Sequence, residues 1–110
     1  MSTKYIVMHP DGTEQHFEID LPEMPTLQTL RSLIVPHLDG GDLEQVGVLH
    51  DGKGTDMFVD EDGLSKQLPR NDKATAIYRA HYLKQNPGVE PEQLGFIAGT
   101  AVIFNRRVWF

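Results

Sequence analysis

Apolar and polar residues alternate most strictly over residues 14–21, where Gln15, Phe17, Ile19 and Leu21 interleave with His16, Glu18 and Asp20. A period of two places successive side chains on opposite faces of a strand, so this segment predicts a β-strand with one face inward and one in water. Just before it, Tyr5, Ile6, Val7 and Met8 form a run of β-formers ended by Pro10, and Asp11-Gly12 is a hairpin turn signal. Residues 4–9 and 14–21 therefore predict a β-hairpin.

The period then changes. Leu27, Leu30, Leu33 and Ile34 recur at helical spacing behind Thr26, a good N-cap. They predict a helix through residue 35, stopped by Pro36 and the turn residues Asp39-Gly40-Gly41. Strands are expected over 44–50 and 57–59, joined through Asp51-Gly52-Lys53-Gly54. Asn71 predicts the cap of a second helix over 72–85, with Asp72 favourable at its positive end. Its narrow apolar stripe is Ala76, Ile77, Ala80 and Leu83, and Asn86-Pro87-Gly88 ends it. Residues 96–104, FIAGTAVIF, are nearly all apolar, as in a strand covered on both faces and central in its sheet. The tail NRRVWF predicts a short edge strand. The order ββαββαβ reads as a single α+β domain over residues 1–110, a small mixed sheet with two helices packed on it.

Between the fourth strand and the second helix lies VDEDGLSKQLPRNDKAT. Asp60, Glu61 and Asp62 are adjacent ahead of a glycine turn, so all three are expected in water. Taking Gly63 as the sixth residue of an EF-hand loop places Phe58 first and Pro69 twelfth; neither is the carboxylate that calcium requires, which excludes that motif. Three readings remain: a polar turn with Lys66, Arg70 and Lys73 as counter-charges, a looser cation contact through Asp60 and Asp62, or an acid–base pair. Leu64 and Leu68 are expected to anchor the segment to the core, and Pro69 disfavours helix at Leu68.

Composition narrows the function classes. The 110 residues carry a net charge of −6, which argues against a nucleic-acid backbone or an anionic membrane surface as partner. Cys is absent, which excludes disulfides, thiolate metal sites and Cys nucleophiles. The first residues show no secretion signal and no apolar run approaches 18 residues, so a cytoplasmic protein without a membrane span is expected. The five histidines, His9, His16, His37, His50 and His81, include no helical pair at metal-site spacing, although His9 and His16 flank one hairpin. None of Ser2, Ser32 and Ser65 sits in a nucleophile elbow, and Gly52-Lys53-Gly54 lacks the rest of a phosphate loop. No metal or cofactor is expected, and a non-enzymatic role is favoured over catalysis by the acidic cluster.

Two candidate sites stand out. Gly99 inside an apolar run lets a ligand or another backbone come close. If Gly99 and Thr100 lie beside Asn71 and Thr75 at the start of the second helix, a donor-rich niche for a nucleotide-like anion results; the alternative is a glycine that relieves helix–sheet crowding. The tail residues Arg106, Arg107, Trp109 and Phe110 are of the types enriched in binding hot spots. Exposed, they predict a protein interface or homodimer contact; packed on the first helix, they are the last strand of the core. Tyr78 and Tyr82, four apart, either stack on a partner or cover the sheet edge.

The segment 59–75 and the later IAGTAVIF resemble an uncharacterised family, a domain of unknown function, of small phage, plasmid and bacterial proteins. The first motif falls on Asp60, Glu61, Gly63, Leu64, Leu68, Pro69, Asn71, Ala74 and Thr75. The second falls on Ile97, Gly99, Thr100, Val102 and Ile103. The resemblance covers about half the chain and implies a mobile-element setting, with a host or phage protein as partner, but no particular activity. The tail NRRVWF and residues 86–93 lie outside the pattern.

Overall fold

A computed structural model describes all residues, 1–110. The first hairpin forms where the alternation places it: β1 (Ser2–Met8) pairs antiparallel with β2 (Glu14–Asp20). The Asp11 carboxylate accepts the Thr13 amide at 2.9 Å and Gly12 takes φ +92°, which closes the turn. Helix α1 (Leu27–Ile34) starts at Thr26, whose hydroxyl accepts from the Thr29 amide at 3.1 Å. Its end tightens into a 3₁₀ turn, Val35–His37, with Pro36 inside it.

The second hairpin joins β3 (Leu43–His50) to β4 (Lys53–Asp60). β4 is much longer than residues 57–59 because the apolar pattern breaks at Thr55, Asp56 and Asp60, all three buried. Helix α2 (Asp72–Gln85) and the short β5 (Ala101–Phe104) complete the α+β chain, with a second 3₁₀ turn at Pro91–Gln93.

The sheet order is β2-β1-β5-β4-β3, and every neighbouring pair is antiparallel. This corrects the expected mixed sheet. β1 and β4 run in the same direction but do not touch, because β5 enters between them and opposes both. β5 is central, as its apolar run suggests, yet it begins only at Ala101. Gly99 has φ +86°, which breaks the extended path, and upstream only Ala98 bridges across to Arg70. Phe96 is exposed, with the Arg70 guanidinium 5.6 Å from its ring centre.

Strand alternation divides the core between the two faces. Val7, Phe58 and Phe104 point toward Leu30 and Ile34 of α1, and Val108 joins them. Met8, Met57, Ala101 and Ile103 point the other way, onto Ala74 of α2. The helices therefore lie on opposite sides of the sheet. Helix α2 buries Ala74 and Thr75 and half-buries Ile77 and Tyr78, while Ala76 and Ala80 face solvent. The expected stripe is thus rotated toward the polar Thr75, which periodicity of apolar residues overlooks. Tyr78 packs on the sheet, and its ring centre lies 6.2 Å from that of the more exposed Tyr82. No helix is long and apolar enough to cross a membrane.

Candidate functional site

The niche expected around Asn71 exists as a meeting of chain segments. Asn71 is fully buried. Its Oδ1 accepts from the Ala74 amide at 3.1 Å, and its Nδ2 donates to the carbonyls of Met8 and Gly99, both at 2.9 Å. One side chain therefore caps α2 and ties it to the end of β1 and to the approach to β5. The Thr75 hydroxyl, one turn on, accepts the Ile97 amide at 2.9 Å.

Asn71 meets Gly99 and Thr75 meets Ile97, but the donors at this spot face inward. The Gly99 amide donates to the Pro69 carbonyl at 2.8 Å, and the Thr100 amide donates to Asp39 Oδ2 at 2.9 Å. The anion at this spot is the chain's own Asp39 carboxylate. A Cβ on Gly99 would stand 2.6 Å from Asp39 Oδ2 and 2.8 Å from Leu68 Cδ1. The glycine is needed both for its left-handed backbone and for this approach. The site is a closed clamp that positions helix and strand.

The acidic stretch needs a correction. Glu61 and Asp62 are exposed, but the Asp60 side chain is fully buried. Asp60 ends β4 on the same face as Asp56 and Phe58, beneath the loop that carries Gly41. Its carboxylate meets Lys66 Nζ at 2.8 Å and accepts the amides of Asp62 at 2.8 Å and Gly41 at 3.2 Å. Lys66 also donates to the Asp39 carbonyl at 3.3 Å, so it spans two loops. Burial pushes the Asp60 carboxyl up, but the Lys66 hydrogen bond and the two amides outweigh it and hold the group below its ordinary value. The same pairing raises Lys66.

Leu64 does not anchor this segment, for it is 58% exposed, and Leu68 is only partly buried against Gly99. The ion pair and the close approach of Gly63 to the Ala98 carbonyl hold the loop instead.

The tail forms no strand. Arg106 binds it down: Nε donates to Thr3 Oγ1, and the two terminal nitrogens to the carbonyls of Glu23 and Pro22, each at 3.0 Å. That residue belongs to the scaffold. Val108 is fully buried. Its amide and that of Trp109 both donate to Asp56 Oδ2, at 2.8 and 2.9 Å. Gln45 Nε2 donates to Asp56 Oδ1 at 2.8 Å, and Arg107 Nη1 stands 3.6 Å from that oxygen. The Arg107 guanidinium lies over Gly54, where a Cβ would come within 2.9 Å of it. Trp109 rests on Phe58 with ring centres 5.9 Å apart and stays 38% exposed; Phe110 is 69% exposed. The tail therefore packs on β4, with its last two aromatic residues facing outward.

Asp56 escaped the sequence reading. The signal was its parity with Phe58: a strand that buries Phe58 also buries the carboxylate two residues before it, which then requires donors. The histidines have separate tasks. His9 bonds Gln15 and His16 bonds Glu14, each at 3.0 Å, while His81 Nδ1 accepts the Leu49 amide at 3.1 Å. No group of three or more metal-ligating side chains comes together. No protein-family model matches the chain, and no curated protein or solved structure matches it at a significant level.

Proposed function

We propose that this chain is a small non-enzymatic interaction protein of a mobile element that binds a host or phage protein, and that Arg107, Trp109 and Phe110 form the centre of its contact surface. The observation that carries this reading is the way the tail is held. The Asp56 carboxylate grips the amides of Val108 and Trp109, and Val108 is sunk in the core, so the Trp109 side chain is presented from a fixed backbone with exposed Phe110 next to it. Preorganisation of this kind lowers the ordering cost of binding, and Trp and Arg are the residues that most often dominate interface energies.

The test compares wild type with Trp109→Ala and Phe110→Ala as baits in quantitative affinity capture, with Lys84→Gln as a distant surface control. A protein retained by wild type and Lys84→Gln but lost by both aromatic variants supports the proposal. Identical retention by all four baits overturns it. Sedimentation of the same variants covers self-association: a dimer dissolved by Phe110→Ala makes the partner a second copy.

A further inference from the structure

The other side of the sheet carries a second surface. Ala74 and Tyr78 of α2 pack on that face, but no residue of the helix lines its far end. There a groove of about 470 Å³ opens, within the range of small-molecule sites. Ile6 of β1, Ile103 of β5 and Thr55 of β4 lie at its floor. His16 and Glu18 on β2 form one rim, and His50 and Lys53 of the second hairpin form the other. Lys4 and Asn105 face each other at the open end, joined through the Lys4 amide and Asn105 Oδ1 at 3.2 Å.

The charges on these rims differ in how they are engaged. Glu14 holds His16 at 3.0 Å, Asp51, the carboxylate beside Lys53 on the far rim, stands 3.6 Å from His50, and Glu18 meets Lys4 only loosely, at 3.9 Å. The Lys53 side chain, on a residue whose backbone pairs with His50, has neither an ion pair nor a hydrogen bond. Apart from Lys84, every other lysine and arginine is engaged by a carboxylate or a carbonyl. On a protein of net charge −6, an uncommitted cation at the rim of an apolar floor is matched by a ligand with an apolar body and a negative end.

We propose that this groove binds a small flat amphipathic anion, an apolar ring system bearing one carboxylate or phosphate, with the ring on Ile6 and Ile103 and the anionic group at Lys53, with Lys4 as the second cation. Thr55 is not the ligand's donor, because its hydroxyl is already held by the Phe104 carbonyl. Arg107, Trp109 and Phe110 do not line this groove, and beyond Asn105 the tail packs on the opposite face.

The experiment uses 1-naphthoate, 1-naphthyl phosphate and the neutral 1-naphthalenemethanol as probes of the full chain, by titration calorimetry and amide-resolved NMR. Expected are one-to-one binding of at least one anion, with amide shifts at Ile6, Thr55 and Ile103, and weaker binding of the alcohol. Lys53→Gln, an exposed position that leaves the fold intact, lowers the affinity by about tenfold, the effect of losing one charge-assisted contact, while Lys84→Gln does not. A preference between the two anions assigns the headgroup. Absence of binding at millimolar concentration, equal binding of the alcohol, insensitivity to Lys53→Gln, or shifts that map to residues 107–110 would each overturn the proposal.

Discussion

Removing the Asp56 side chain tests how the tail is held. In Asp56→Ala the amides of Val108 and Trp109 and the Gln45 side chain all lose their acceptor. Val108 is fully buried, so leaving its amide unpaired costs about 1–3 kcal/mol. Trp109 and Gln45 are partly reached by water and add less. The Arg107 pair is half-exposed and 3.6 Å long, and contributes about 0–1 kcal/mol. Relief from burying a carboxylate offsets part of the loss. The net expectation is a loss of about 3 kcal/mol.

Urea unfolding followed by the fluorescence of Trp109, the single tryptophan, reads both stability and tail position. With a slope of about 1.5 kcal/mol per molar urea, the midpoint falls by about 2 M. Native emission shifts toward that of a wet indole as the ring leaves Phe58. Asp56→Asn keeps one oxygen for the two amides, and a turned Gln45 amide satisfies the new NH₂ group, so its loss is about 1 kcal/mol. A midpoint for Asp56→Ala within 0.3 M of wild type, with native emission unmoved, would refute the clamp. Equal losses in the two variants would mean that charge, rather than acceptor geometry, holds the tail.

Asn71→Ala removes three buried hydrogen bonds and is expected to cost about 3 kcal/mol in the same titration. Asn71→Asp restores the cap but turns a carboxylate toward two carbonyls, so it stays well below wild type; full recovery would show that only the cap matters. Gly99→Ala forces a left-handed alanine beside Asp39 and Leu68 and is expected to cost at least about 1–2 kcal/mol; an unchanged midpoint would deny the close packing of the clamp. The Asp60 carboxyl is depressed in the folded state, so its stabilisation is present above the unfolded value of 3.8 and is lost as pH falls below it, through the lower folded value. Urea midpoints measured from pH 5 down to pH 2 should therefore fall less steeply in Asp60→Asn than in wild type, and parallel curves would count against the pairing. At the alkaline end the raised Lys66 contributes fully below 10.5 and loses that contribution as pH rises through its higher folded value.

Much of the local structure was legible in the chain itself. Strict alternation located β2, a capping threonine and helical leucine spacing located α1, and Asn71 marked the first residue before α2. These signals are local, because each depends on neighbours a few residues away along one backbone. The motif drew attention to Asn71, Thr75, Gly99 and Thr100; in the structure Asn71 bonds the Gly99 carbonyl and Thr75 the Ile97 amide.

What they do there was decided by segments distant in sequence. Asp39 arrives from the loop after α1 to take the Thr100 amide, and Met8 supplies a carbonyl to Asn71. Asp56 and Asp60 are buried because the tail and the Gly41 loop fold over them with donors, and an acidic residue carries no local mark of whether such donors will come. The antiparallel sheet likewise depends on β5 entering between β1 and β4, a choice made by long-range pairing. The sequence by itself determined where the first hairpin, β3, both helices and their caps lie, but not the length of β4, the start of β5 or the path of the tail. Only the tertiary structure decided which polar side chains lie in water and which are tied inside, because that depends on hydrogen-bond partners brought from elsewhere in the chain.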